Sequence, residues 1–206
     1  MHPIPRTLHG ADSHSFLDWT SFFIGGQEMT SPVLIVPGIG NSGPSHWQSL
    51  WQARGPGWHR LQVKNWDHVV CDDWVSAISR HIASLGPDTL IVAHSLGCLA
   101  VAHWAAREGK KIRGAMLVAV PDPASAAFPA SSAIAFSPVP LKKLEFPSTV
   151  VASTDDPYGS ASYARSCSTA WGGRYVEVGP RGHLNSESGL GNWPFGIELL
   201  EQFSAT

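Results

Sequence analysis

Thr89-Leu-Ile-Val-Ala-His-Ser95-Leu-Gly-Cys-Leu-Ala-Val-Ala-His-Trp104 is the stretch whose reading decides how this chain folds. An apolar run of strand length passes into a run of helix length, with one serine at the turn between them. The residues two before and two after that serine, Ala93 and Gly97, are small. A strand that reverses into a helix within a few residues presses backbone against backbone and leaves no room for larger groups. Ser95 is therefore expected at the tip of a nucleophile elbow, lifted out at the carboxyl edge of a sheet. Position 93 carries a methyl group where the G-x-S-x-G pattern has glycine. The plain alternative is a buried strand followed by a helix with an ordinary serine N-cap.

On the N-terminal side, Pro32-Val-Leu-Ile-Val-Pro-Gly38 is a continuous apolar run closed by Pro-Gly, which suits a strand buried on both faces of a parallel sheet. A helix is expected over 45–54, with Pro44 in its first turn and Gly55 past its end, and then a second strand over 60–64. A helix over 72–85, capped by Asp72 or Asp73, leads to the strand at 89–93, and the helix after the elbow runs over 96–108 to Gly109. Further strands are expected at 114–120, 148–153 and 174–178. A helix at 160–171 lies between the last two, and a final helix begins near Pro194. Strands that alternate with helices imply a single α/β domain of about six parallel strands sandwiched by helices, with its site at their carboxyl ends. The stretch 121–147 is rich in Pro, Ala and Ser and too short for a lid domain.

The 206 residues suffice for one well-buried domain, expected over 31–206. Residues 1–30 are read as an N-terminal extension, with disorder left open; their charges interrupt the apolar core that a secretion signal needs. A net charge of −2 offers no basic field for nucleic acid or a membrane surface, so the expected partner is a small molecule recognised locally. Oligomeric state is left open. Cys71, Cys98 and Cys167 stand apart without C-x-x-C spacing and read as free thiols in a reducing, cytoplasmic setting. No apolar run reaches the roughly 18 residues of a spanning helix.

A serine hydroxyl is a weak nucleophile at neutral pH and needs a base, which in turn needs a group to orient it. After the strand at 148–153 comes Ser153-Thr-Asp-Asp156-Pro-Tyr-Gly159, and after the strand at 174–178 comes Gly179-Pro-Arg-Gly182-His183-Leu-Asn-Ser-Glu187. His183 is the candidate base and Asp155 or Asp156 the acid, with Asp122 in reserve; the order Ser, Asp, His suits the fold. The Leu96 amide and a second amide near Ile39 are expected to receive an oxyanion. His46, Trp47, Trp66, His94 and Trp193 fall where they can line a pocket, whereas His81 and His103 read as helix-surface residues. The histidines show no recognised ligand spacing, so no metal is expected, and no cofactor either.

Gly38-Ile-Gly40-Asn-Ser-Gly43 also satisfies G-x-G-x-x-G, which opens the alternative of a nicotinamide-dependent oxidoreductase. Pro44, however, puts Gly43 at or before the helix start, and Lys64-Asn65 stands where a ribose-binding acid belongs. A non-catalytic protein-binding module on the same fold is a further alternative.

From about Met29 onward the chain resembles the small α/β-hydrolase family of retinoblastoma-binding protein nine and the bacterial YdeN-like serine hydrolases. The resemblance is carried by Val36-Pro-Gly-Ile-Gly40, Gly43-Pro-Ser-His-Trp47, Ala93-His-Ser-Leu-Gly97, the stretch from Phe146-Pro to Ser153-Thr-Asp-Asp-Pro-Tyr158, and Gly182-His-Leu-Asn-Ser-Glu-Ser-Gly-Leu-Gly-Asn-Trp-Pro-Phe-Gly196. It implies an α/β-hydrolase fold without a lid, with Ser95 as nucleophile, the residue before the proline, Asp156, as acid, and His183 as base. The family is defined by fold and triad rather than by a shared substrate; from the elbow and the ordered Ser, Asp and His, the expected function is a serine hydrolase that cleaves small carboxylic esters or related acyl compounds through an acyl-enzyme. Ala93 and the leader before Met29 depart from the pattern. Partner binding through an L-x-C-x-E motif has no support, since Cys98 sits in Leu96-Gly-Cys-Leu-Ala100.

Overall fold

The first strand, β1 (Val33–Val36), places four buried apolar residues in a row, and the pleat sends them alternately to opposite sides. In the computed structural model, which describes residues 30–109 and 111–203, both sides are covered. Val33 and Ile35 join one core with α1 (Trp47–Gln52) and α6 (Pro194–Glu201). Leu34 and Val36 join a second core with α2 (Cys71–Leu85), α3 (Leu96–Glu108) and α5 (Ala161–Trp171). A strand with apolar neighbours above and below has no polar face to show, so its sequence does not alternate.

The remaining strands are β2 (Trp58–Arg60), β3 (Leu90–His94), β4 (Gly114–Val118), β5 (Ser148–Ala152) and β6 (Arg174–Glu177). All six are parallel in the order β2-β1-β3-β4-β5-β6. After β1 the chain pairs on one side with β2 and then crosses to β3 on the other, so the direction of winding switches between β1 and β3. A crevice opens at the carboxyl ends on either side of such a switch. Val36 is in register with Ala93, which brings the turn after β1 beside the turn after β3.

Several boundaries differ from the expected ones, each for a local reason. α1 begins at Trp47 rather than 45, because His46 is its N-cap and Nδ1 accepts from the Gln48 amide at 3.1 Å. β2 occupies Trp58–Arg60 rather than 60–64: Val33 pairs with Trp58, so Arg60 already stands opposite Ile35, and the ladder closes where the Leu61 amide donates to Ile35 O. Asp72 and Asp73 do not cap α2; Val70 is the cap residue, without a side-chain bond, and the two acids lie in the first turn, where the helix dipole favours them. β4 stops at Val118 because Ala119 turns the chain with φ +55°.

The stretch 121–147 forms a short helix, α4 (Ala130–Ala133), and a 3-10 turn over Ile134–Phe136, with no lid. It folds back over α3 and corrects one expectation. His103 is not a surface residue but buried, and its Nε2 lies 2.9 Å from Phe136 O, which accepts its hydrogen. All three cysteines are free and buried. Among the described residues no helix is long and apolar enough to cross a membrane. The expected extension falls on residues outside those described, Thr30 excepted.

Candidate active site

Ser95 stands between β3 and α3 at φ +53° and ψ −128°, a conformation that a residue with a side chain adopts only when its surroundings impose it. Those surroundings are backbone. The Ser95 amide donates to Val118 O at 2.9 Å, and a Cβ on Gly97 would lie 2.4 Å from Val36 O and 2.6 Å from Pro37 O. A Cβ on Gly38 would lie 2.9 Å from Ser95 Cβ. Ala93 is wholly buried in the core behind the turn, where a methyl group fits, so the departure from G-x-S-x-G is accommodated.

His183 is delivered by the loop after β6, with Nε2 2.8 Å from Ser95 Oγ. Behind it, Nδ1 lies 2.9 Å from both Oδ1 and Oδ2 of Asp156, from the loop after β5. A carboxylate only accepts, so Nδ1 carries the hydrogen and Nε2 is left to accept from the serine. The Asp156 carboxylate is 2% exposed and also accepts from the Tyr158 amide at 2.9 Å. Asp155 does something else: its Oδ1 accepts from Ser153 Oγ and from the Gly182 amide, both at 2.7 Å. Those two bonds hold its carboxyl below the usual range, the Ser153 hydroxyl contributing most. Asp122 caps its own turn by accepting from the Ala124 amide.

The turn after β1 also lines the cleft, through Gly38, Ile39 and Asn41. Its Gly40 amide donates to Trp66 O and its Asn41 amide to Gly38 O, and neither bond involves Ile39. Leu96 is the first residue of α3, so its amide has no acceptor within the helix. Ile39 and Leu96 both line the cleft together with Ser95. Gln48, fully buried, braces this region by donating from Nε2 to Val92 O at 3.1 Å while its Oε1 accepts from Ser42 Oγ at 2.6 Å.

The cleft has a volume of about 490 Å³. Two of the five expected pocket residues, His46 and His94, line it. The other three, Trp47, Trp66 and Trp193, do not, and their roles are corrected accordingly. Trp47 and Trp193 are buried against each other with ring centroids 4.9 Å apart, and Trp47 Nε1 donates to Leu184 O. Trp66 packs edge-on against Trp74 on the other side of the sheet. Sequence position put these rings at the right edge of the sheet, but their size suits them to filling the gap between helix and strand.

Sequence reasoning missed the residues that line the cleft in their place: Tyr158, Phe128, Pro129, Asn185, Ser186 and Glu187. Tyr158 packs on the His183 ring at 4.4 Å. Its place two residues after Asp156 was a usable signal; Phe128 lies in the irregular 121–147 stretch, which offers no periodicity to place it.

Three imidazoles stand in a row, His46 to His94 at 4.8 Å and His94 to His183 at 4.9 Å between ring centroids. Burial, assisted by the charges of Arg60 and His183, lowers the pKa of His46 to about 4, and burial holds that of His94 well below the usual imidazole range. Both are neutral at physiological pH. Among the described residues no group of three or more His, Cys, Asp or Glu could hold a metal ion. Gly43 lies outside α1 with open space around its α-carbon, so the Gly38–Gly43 turn lacks the close helix packing that the third glycine of a dinucleotide fingerprint provides.

A family model described as serine hydrolase matches residues 33–202 of this chain. Among solved structures, one described as a YdeN-like hydrolase from Pectobacterium atrosepticum is similar with a TM-score of 0.74 and 33% identity, over 84% of this chain and 90% of that one. The ydeN gene product of B. subtilis is similar with a TM-score of 0.70 and 22% identity, over 86% of this chain and 100% of that one. A monoacylglycerol lipase from Paleococcus ferrophilus shares the fold, with a TM-score of 0.61 and 14% identity over 84% and 93% of the two chains. No curated protein matches.

Proposed function

This chain belongs to the serine hydrolase family, and we propose that it cleaves small carboxylic esters or related acyl compounds through an acyl-enzyme on Ser95. The observation that carries the reading is the continuous hydrogen-bonded line from Ser95 Oγ through the His183 ring to the Asp156 carboxylate. His183 Nε2 takes the serine proton as Oγ attacks the substrate carbonyl, and the carbonyl oxygen becomes an oxyanion facing the Leu96 and Ile39 amides. When the tetrahedral intermediate collapses, the bond to the leaving group breaks and His183 hands its proton to the departing alcohol. Water then attacks the acyl-enzyme by the same route in reverse, releasing the acid and restoring Ser95. Asp156 stays ionised and stabilises the imidazolium that forms twice in each cycle. The cleft size and the absence of a lid among the described residues support compact substrates.

A fluorophosphonate probe tests the assignment, because it reports an activated serine without presupposing the substrate. Covalent labelling at Ser95, lost in Ser95→Ala, is expected. A wild-type protein that takes no label while a control hydrolase does would overturn the reading.

A further inference from the structure

β5 and β6 stay in register to their last pair, Ala152 with Glu177, and the ladder runs on beyond it: the Val178 amide donates to Ala152 O at 3.0 Å and the Thr154 amide to Gly179 O at 3.1 Å. Past that point the backbone cannot continue it. Pro180 has no N–H, and Gly179 and Gly182 take φ of +72° and +56°, so the loop that leads to His183 leaves the extended conformation. Side chains after β5 supply the acceptors instead. The Arg181 amide donates to Ser153 Oγ at 2.8 Å and the Gly182 amide to Asp155 Oδ1 at 2.7 Å. Next in line, the His183 ring meets the Asp156 carboxylate, with Nδ1 2.9 Å from both oxygens. Residues 181, 182 and 183 of one loop are thus bonded in turn to the side chains of residues 153, 155 and 156 of the other.

Ser153 is the joint of this set. It is fully buried, whereas Asp155 is exposed. A hydroxyl can accept and donate at once, and Ser153 Oγ accepts from Arg181 while donating to Asp155 Oδ1 at 2.7 Å, with a longer contact to Gly179 O at 3.1 Å. The oxygen of Asp155 that it meets is the one that accepts from Gly182, so one buried hydroxyl supports both amides ahead of the histidine. The carbonyls of the loop are held separately: Ser188 Oγ donates to Arg181 O and His94 to His183 O. We infer that Ser153 is a positioning residue for the hydrolysis, acting through Asp155 and the Arg181 and Gly182 amides to keep the His183 ring in line between Asp156 and Ser95. The inference rests on the hydrolase reading above and adds a residue to it. His183 has to accept from Ser95 and later protonate the leaving group, and a misplacement of about 1 Å can cost about a hundredfold in rate. With Ser188 and His94 still in place, loss of Ser153 loosens the loop only in part.

Ser153→Ala removes the hydroxyl and nothing else. Its kcat on p-nitrophenyl acetate is expected to fall about tenfold with KM little changed, and fluorophosphonate labelling of Ser95 to slow in proportion. The deciding measurement is the same substitution made in Asp156→Asn. There the His183 ring has already lost its orienting partner, and residues that act as a unit are not additive. In that background Ser153→Ala is expected to slow labelling by less than about twofold, while lowering the melting temperature as much as it does in the wild type. Asp155→Ala, at an exposed side chain, serves the same comparison should Ser153→Ala not fold, with a fall in kcat of about three- to fivefold. An unaltered kcat in the folded variant, or equal slowing in the wild-type and Asp156→Asn backgrounds, overturns this inference while leaving the hydrolase reading intact. A wild type that takes no fluorophosphonate label overturns both.

Discussion

His94 donates its Nε2 hydrogen to the backbone carbonyl of His183 at 2.8 Å, tying the strand end that leads into Ser95 to the loop that carries His183. The bond crosses 89 residues of sequence and helps to hold the His183 ring, whose Nε2 lies 2.8 Å from Ser95 Oγ. His94→Phe fills the same space without the donor and leaves a carbonyl short of a partner, at a cost of about 1–3 kcal/mol. We expect kcat to fall about tenfold with KM little changed, and fluorophosphonate labelling to slow in proportion. An unaltered labelling rate would show that the loop is held by other contacts.

The two neighbouring carboxylates divide their work, and their variants should differ in kind. Asp156→Asn is expected to lower kcat by about 10³–10⁴-fold, because an amide in that place no longer holds the imidazole in the tautomer that can accept from Ser95. Asp155→Asn disturbs the Ser153 and Gly182 contacts that join the two loops, so it should cost less than about tenfold in kcat and show itself in thermal unfolding. Steady-state kinetics with one activated ester distinguish them. Equal losses would move the orienting role away from Asp156.

The sheet and the elbow were legible because both follow from local chemistry: continuous apolar runs for covered strands, and a small residue two after Ser95 where the Gly97 α-carbon lies against Val36 O. That Ser95, Asp156 and His183 lie together was legible because each follows a strand end, and parallel strands bring such ends together. The rest depended on packing. No pattern in the sequence distinguishes a tryptophan between helix and sheet, such as Trp193, from one facing the cleft. The burial of His103 depends on a segment, 121–147, whose course no periodicity dictates.

Stability should fall on acidification even before carboxylates protonate. His46 has a folded-state pKa of about 4 against 6.5 for the free side chain, so between those values the unfolded chain binds more protons and stability rises with pH. The contribution is fully present above pH 6.5 and is lost as pH falls towards 4, by about 2 kcal/mol at pH 5. His94 acts in the same direction. Urea unfolding at pH 7.5 and pH 5.0 should show the wild type losing more than His46→Asn. Equal losses would mean that His46 does not titrate below its unfolded value.

Acyl-chain selectivity should follow the residues that line the cleft rather than the tryptophans behind it. Phe128 and Pro129 supply apolar lining from the 121–147 stretch, whereas Trp193 stacks on Trp51 at 5.8 Å and packs on Trp47 in the core between α1 and α6. Truncating Trp193 removes a large buried ring, so Trp193→Ala should cost about 3–5 kcal/mol of stability. In whatever fraction remains folded, its preference among acetyl, butyryl and octanoyl nitrophenyl esters should match the wild type. Phe128→Ala should do the reverse: it widens the cleft and raises the octanoyl ester relative to the acetyl ester, by about three- to tenfold for the apolar area uncovered. A chain-length profile that shifts in Trp193→Ala and not in Phe128→Ala would place the acyl chain under α1 instead of along the 121–147 stretch.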